Sequence, residues 1–146
     1  MKILVVGYGS IGKRHVDNLL LISNIEIIIC THRNNIDNNL KNKCKFFESL
    51  DDCIHEKPVA AIISNVTSLH VQTALKLASA GLHLFIEKPL SNNLENIKEL
   101  SNIVRDKKLI TFMGYNLRFH NCIKKIKELL ENNEIGKIIS VNAESG

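Results

Sequence analysis

Aromatic residues make up only 5% of the 146 positions, and no apolar run approaches the length of a membrane span. A spanning helix needs about 18 apolar residues in a row. No membrane is therefore expected as a partner. The charge excess is small, with 19 lysines and arginines against 15 acids. The lysines are scattered and have no aromatics between them, so nucleic acid is not an expected partner either. The cysteines are Cys30, Cys44, Cys53 and Cys122, and no pair has CxxC spacing. A zinc site needs four well-placed donors, so no metal is expected, and the thiols read as reduced ones in a cytoplasm. There are no repeats and no low-complexity linker. The start, Met1–Val6, begins like a signal peptide but meets a glycine loop after it and has no small-residue cleavage site. It reads as a strand.

What is present is alternation. Short apolar runs at Ile3–Val6, Ile25–Cys30, Cys44–Phe47, Val59–Ser64, Leu82–Ile86 and Leu109–Met113 read as strands. Between them, Ile11–Ser23, a short segment capped by Ser49 and ending at His55, Thr67–Ala80 and Leu94–Lys107 read as helices. Gly81 marks a helix end, and Ser91 or Asn93 is the expected cap before Leu94. Asn34–Lys43 is polar and reads as a loop or weak helix. This order predicts an α/β fold with a doubly wound parallel sheet of Rossmann type. An amphipathic helix over Phe119–Asn133 and a strand over Lys137–Glu144 follow. They read as the first helix and strand of an α+β second domain, dividing the chain into 1–118 and 119–146.

Gly7-Tyr8-Gly9-Ser10-Ile11-Gly12 follows the first strand and opens the first helix, the context a dinucleotide-binding G-x-G-x-x-G requires. Gly7 makes the turn, Gly9 admits the pyrophosphate and Gly12 lets helix and strand pack closely. The free N–H groups at the helix start, at Ser10, Ile11 and Gly12, favour an anion. About 20 residues on, an acid would bind the ribose 2′-hydroxyl of NAD. That place lacks one and holds Cys30-Thr31-His32-Arg33. A guanidinium beside a hydroxyl suits a 2′-phosphate. The expected cofactor is NADP or NAD, with Thr31 and Arg33 tilting the choice toward NADP.

Three more polar clusters follow later strands: Ser64–His70, Glu87-Lys88-Pro89 and Gly114–Phe119. Ligands of open α/β sheets bind at that edge. Gly7-x-Gly9-x-x-Gly12-x-x-His15, Thr67-x-x-His70, the run from Ala80 to Pro89, and Gly114-Tyr115-Asn116-x-Arg118-Phe119 together resemble the Gfo/Idh/MocA family of nicotinamide-dependent oxidoreductases. The resemblance covers nearly the whole chain, and its Gly-x-His-x-x-x-Glu-Lys-Pro run is the specific part.

The resemblance implies hydride transfer between NAD(P) and a secondary alcohol of a sugar, cyclitol or nucleotide sugar. It places Lys88 near the nicotinamide and the substrate, orienting a hydroxyl and assisting proton transfer. Partial desolvation beside a cationic ring would make that lysine usable near neutral pH. It puts Glu87 on the nicotinamide-side ribose, a cis bond before Pro89, Asn65, Thr67 and His70 along the nicotinamide half, and Asn116 and Arg118 facing cofactor or substrate. It also implies a second domain with an open sheet, which supplies a catalytic histidine, most of the substrate pocket and a homo-oligomer interface. None of His15, His32, His55, His70, His83 or His120 stands at that histidine's place. The chain is expected to be a fragment of a longer oxidoreductase. Half of a split enzyme and a non-catalytic dinucleotide-binding or regulatory module are the alternatives.

Overall fold

A computed structural model of the chain describes residues 1–144 apart from 34, 35 and 37. The chain divides into two compact units, Met1–Gly114 and Tyr115–Gly146. In the first, the order is β1 (Lys2–Val6), α1 (Ser10–Leu19), β2 (Glu26–Cys30), α2 (Asn38–Lys41), β3 (Cys44–Phe47), α3 (Leu50–His55), β4 (Ala60–Ile63), α4 (His70–Ser79), β5 (His83–Ile86), α5 (Ile97–Asp106) and β6 (Thr111–Met113). The strands form one sheet in the order β3-β2-β1-β4-β5-β6. Every neighbouring pair is parallel. The direction of strand addition reverses between β1 and β4, which opens a crevice beyond their carboxyl ends.

Both sheet faces are covered, and this explains unbroken apolar runs such as Ile27–Cys30. On one face Leu4, Ile28, Ile63 and Ile86 pack with Cys53 of α3, Leu77 of α4 and Leu100 of α5. On the other, Val5, Ile27 and Ile29 pack with Val16 of α1 and Leu40 of α2. Leu4, Ile28, Ile29 and Ile63 are fully buried, each burial contributing about 2 kcal/mol. Ser49 caps α3 by accepting the Asp51 N–H at 3.2 Å. Gly81, at φ +88°, ends α4. Its N–H bonds to the Ala78 carbonyl, and the next N–H, of Leu82, bonds to that of Leu77. This is the left-handed helix stop that glycine permits.

Two boundaries depart from the sequence expectation. Thr67–Leu69 form a 3-10 turn, so the α-helix begins only at His70. Ser91 and Asn93 do not cap α5. Their side chains accept the N–H groups of Asn93 and Glu95, making two successive turns, and α5 starts after Asn96 at φ +60°. Short polar side chains compete with the helix in this way. The polar segment before β3 holds the short α2, while Asn34, Asn35 and Asp37 lie outside the described residues.

In the second unit, Asn116–Phe119 form a 3-10 turn. α6 (Asn121–Glu131) follows, its start capped by His120 Nδ1, which accepts the Cys122 N–H. No residue of α6 is buried. The strand expected over Lys137–Glu144 is not formed among the described residues. A lone strand has no ladder of hydrogen bonds to hold it.

Candidate functional site

The glycine loop leaves β1 through Gly7, at φ +90°, where an added Cβ would lie 2.7 Å from backbone atoms of Asn65. At Gly12 a Cβ would lie 2.0 Å from the Gly7 carbonyl oxygen. Only glycine lets α1 sit this close to the loop. Gly9 is the opposite case, because its Cβ direction meets nothing within 4 Å. Gly9 is also the N-cap of α1, and no side chain caps that turn. The first-turn N–H groups, at Ser10, Ile11 and Gly12, have no intrahelical acceptors. They make an anion cradle open at Gly9.

This cradle belongs to a cleft of about 400 Å³ whose lining includes Gly7, Gly9, Thr31, Arg33, Ser64 and Asn65. Thr31 is fixed by its N–H to the Phe47 carbonyl, and its hydroxyl accepts the Arg33 N–H at 3.2 Å. Arg33 is exposed at the cleft edge. Ser64, which the sequence offered only as the start of a polar cluster, has its hydroxyl 3.1 Å from the carbonyls of both Val6 and Gly7, tying β4 to the loop. Asn65 donates through Nδ2 to Thr73 Oγ1 at 3.0 Å. Its Oδ1 is buried without a partner, the sole such side-chain atom among the described residues. A buried acceptor left alone is costly. The open cradle and this orphaned oxygen both fit a bound dinucleotide, which supplies an anion for one and donors for the other.

The Glu87-Lys88-Pro89 turn leaves β5 at the same carboxyl edge, and its Lys88–Pro89 bond is cis. Glu87 is half-buried, with Oε1 2.8 Å from His15 Nε2 of α1. Lys88 is exposed. Within the first unit, the described residues around it do not supply the desolvation expected of it. Thr67 begins its 3-10 turn half-buried beside this edge. His70 is 1% exposed, with Nδ1 2.9 Å from the Pro89 carbonyl and Nε2 3.1 Å from the Asn65 carbonyl. Both ring nitrogens are engaged, so His70 braces the cleft wall from behind and does not line the cleft. Asn116 and Arg118 lie in the second unit, where both are exposed on the 3-10 turn.

Cys30 lies at the end of β2 on the cleft wall, and Cys53 of α3 is fully buried. The Cys53 thiol donates to Cys30, which holds the Cys30 thiol below its usual range and pushes that of Cys53 up. Among the described residues, no group of His, Cys, Asp and Glu could hold a metal ion, and no helix is long and apolar enough to cross a membrane.

Comparison with known proteins agrees with this geometry. A family model described as an oxidoreductase family with an NAD-binding Rossmann fold, Gfo/Idh/MocA, matches residues 1–115. Myo-inositol 2-dehydrogenase of Thermotoga maritima is 34% identical over 142 residues, covering 94% of this chain and 42% of that protein. Glucose-6-phosphate 3-dehydrogenase of Bacillus subtilis is 27% identical, covering 96% of this chain and 41% of that protein. The crystal structure of scyllo-inositol dehydrogenase from Lactobacillus casei with bound NAD(H) and scyllo-inositol superposes with a TM-score of 0.82 at 26% identity, over 94% of this chain and 43% of that one. The chain thus spans about two fifths of the length of these relatives.

Proposed function

Because the chain belongs to the Gfo/Idh/MocA oxidoreductase family, we propose that it is the cofactor-binding part of an enzyme moving hydride between NAD(P) and a secondary alcohol of a sugar, cyclitol or nucleotide sugar. The relatives named above act on alcohols of this kind. One observation carries the reading: an uncapped helix start, open at Gly9, shares a sheet edge with the Glu87-Lys88-Pro89 turn. The first feature suits a pyrophosphate, and the second brings a carboxylate and an amine toward the far end of the same ligand.

When bound, the nicotinamide ring supplies the hydride chemistry, and the protein supplies position and proton handling. In this reading the N–H groups of Ser10, Ile11 and Gly12 hold the pyrophosphate. The Thr31 hydroxyl and the Arg33 guanidinium take a 2′-phosphate, which favours NADP over NAD. Asn65 Oδ1 accepts a hydrogen bond from the cofactor, and Thr67 stands beside it. Glu87 accepts from the nicotinamide-side ribose. Lys88 Nζ orients the substrate hydroxyl and takes or returns its proton. Cofactor and substrate provide the cover over Lys88.

The test has two stages. Fluorescence of NADH and NADPH is followed as the chain is added, and turnover is then assayed across a panel of polyols and sugars, for this chain and for any longer product of the same gene. Binding by this chain with turnover in the longer product is the expected result. Binding without turnover in both contradicts the enzyme and leaves a dinucleotide-binding module, which the exposure of Lys88 favours as the alternative.

A further inference from the structure

One residue of the site is given no contact with the cofactor above and yet holds a group that has one. His15 lies on α1, three residues after Gly12, and reaches across to the end of β5. Its Nε2 is 2.8 Å from Glu87 Oε1, and the two side chains are only 19% and 17% exposed. The imidazole stands edge-on to Phe85, centroids 5.3 Å apart, so the ring itself cannot swing freely. The other carboxylate oxygen, Oε2, accepts the Lys88 backbone N–H at 3.3 Å. Gly114 closes the remaining side. A Cβ there would lie 2.9 Å from Oε2 and 3.1 Å from the carboxyl carbon, so glycine leaves the carboxylate its place.

A glutamate side chain has three rotatable bonds and loses rotamer entropy when it is fixed. Here that ordering is complete before any ligand arrives. The helix that does the holding is also the one whose N-terminus faces the pyrophosphate. We propose that His15 is a positioning residue that presets Glu87 to receive the vicinal hydroxyls of the nicotinamide-side ribose, mechanically linking the pyrophosphate helix to ribose recognition. This rests on the reading that the Glu87-Lys88-Pro89 turn serves the nicotinamide side of the ligand. Preorganisation of this kind acts on one part of the ligand only. ADP carries the pyrophosphate but lacks the second ribose, whereas ADP-ribose carries both.

The experiment titrates the wild-type chain, His15→Ala and His15→Gln with ADP, ADP-ribose and NADH by calorimetry, after thermal melts establish that each variant is folded. His15→Ala is expected to bind ADP within about twofold of wild type and to bind ADP-ribose and NADH about tenfold more weakly, the size of one lost charge-assisted contact. His15→Gln keeps an N–H donor toward Glu87 and is expected to recover most of that loss. Equal losses for all three ligands in the alanine variant, or no loss for any, overturn the proposal. So does a glutamine variant no better than alanine. Wild-type affinities that are the same for ADP and ADP-ribose overturn the nicotinamide-side reading itself, and the His15 proposal with it. If the alanine variant does not fold, the glutamine variant and Glu87→Gln carry the same comparison. Glu87→Gln is then expected to lose ADP-ribose affinity selectively, and a parallel loss for ADP overturns the proposal.

Discussion

Two regions along the carboxyl edge of the sheet are built from different materials. The glycine-loop end is main chain: Gly7 and Gly12 pressed against neighbouring backbone, Gly9 open, and an uncapped helix start. The Glu87-Lys88-Pro89 end is side chain. His15, Glu87 and His70 come from α1, the end of β5 and the start of α4, and the His15–Glu87 contact joins positions 72 residues apart. Backbone sites tolerate almost nothing at their few glycines and are indifferent to most side chains. Side-chain sites can be dismantled one contact at a time. The loop should therefore fail as a whole and the turn by degrees.

The largest effect should come from Gly12→Val. The new Cβ collides with the Gly7 carbonyl, which cannot yield without moving the loop. Dinucleotide binding should vanish, and the melting midpoint should fall by on the order of 10 °C, as overpacking by about 2–3 kcal/mol requires. Survival of binding in this variant would break the distinction between the two ends. His70→Ala comes next. It removes a buried ring that stands between the carbonyls of Asn65 and Pro89, at a cost of about 2 kcal/mol in denaturant melts. ADP affinity should hold, because the glycine loop does not touch His70 in this way. Arg33→Ala should lie below that in effect on the protein, with no change in stability, since the side chain is exposed. It should weaken NADPH about tenfold and NADH less than twofold. Equal weakening of both would remove the case for a 2′-phosphate site.

The smallest effect belongs to the opposite edge of the sheet and serves as the baseline. Glu56 Oε2 accepts from Lys45 Nζ at 2.8 Å and from Lys2 Nζ at 3.1 Å. These lysines hold the Glu56 carboxyl below its usual value, and Glu56 with Glu26 holds the Lys45 ammonium above its own. A lowered carboxyl gives stability that is present above the ordinary carboxylate value of 4.5 and lost as pH falls through the lowered one. The raised lysine gives stability that is present below 10.5 and lost as pH rises through the raised value. Glu56→Gln should therefore flatten both limbs of the stability–pH profile slightly, because these groups are solvent-screened. Cofactor binding should not change.

The same contrast explains what the sequence made legible. The central strands were readable because a sheet buried on both faces demands unbroken apolar runs, as in Ile27–Cys30. The glycine loop was readable because a backbone site writes its whole requirement into consecutive positions. Helix starts were less so. Ser91 and Asn93 carry cap chemistry but spend it on turns, and α5 waits for Ile97. The expected strand over Lys137–Glu144 shows that alternation is a pattern and pairing is a contact. The Glu87-Lys88-Pro89 turn was only half readable. Glu87 and Lys88 stand out in the motif, but that His15 holds Glu87, and that His70 faces two carbonyls and not the cleft, depends on long-range packing. A histidine three residues after the last loop glycine was the one local hint.

The central claim is that a nicotinamide dinucleotide lies along the cleft from the glycine loop to the Glu87-Lys88-Pro89 turn. Amide nitrogen–proton correlation spectra of the isotope-labelled chain during titration with NADH test it residue by residue. The account predicts saturable shifts at Gly9, Ser10, Ile11 and Gly12 together with Glu87 and Lys88, and only the first group should respond to ADP. Shifts confined to other surfaces, or a loop whose amides stay still as NADH binds, would contradict it.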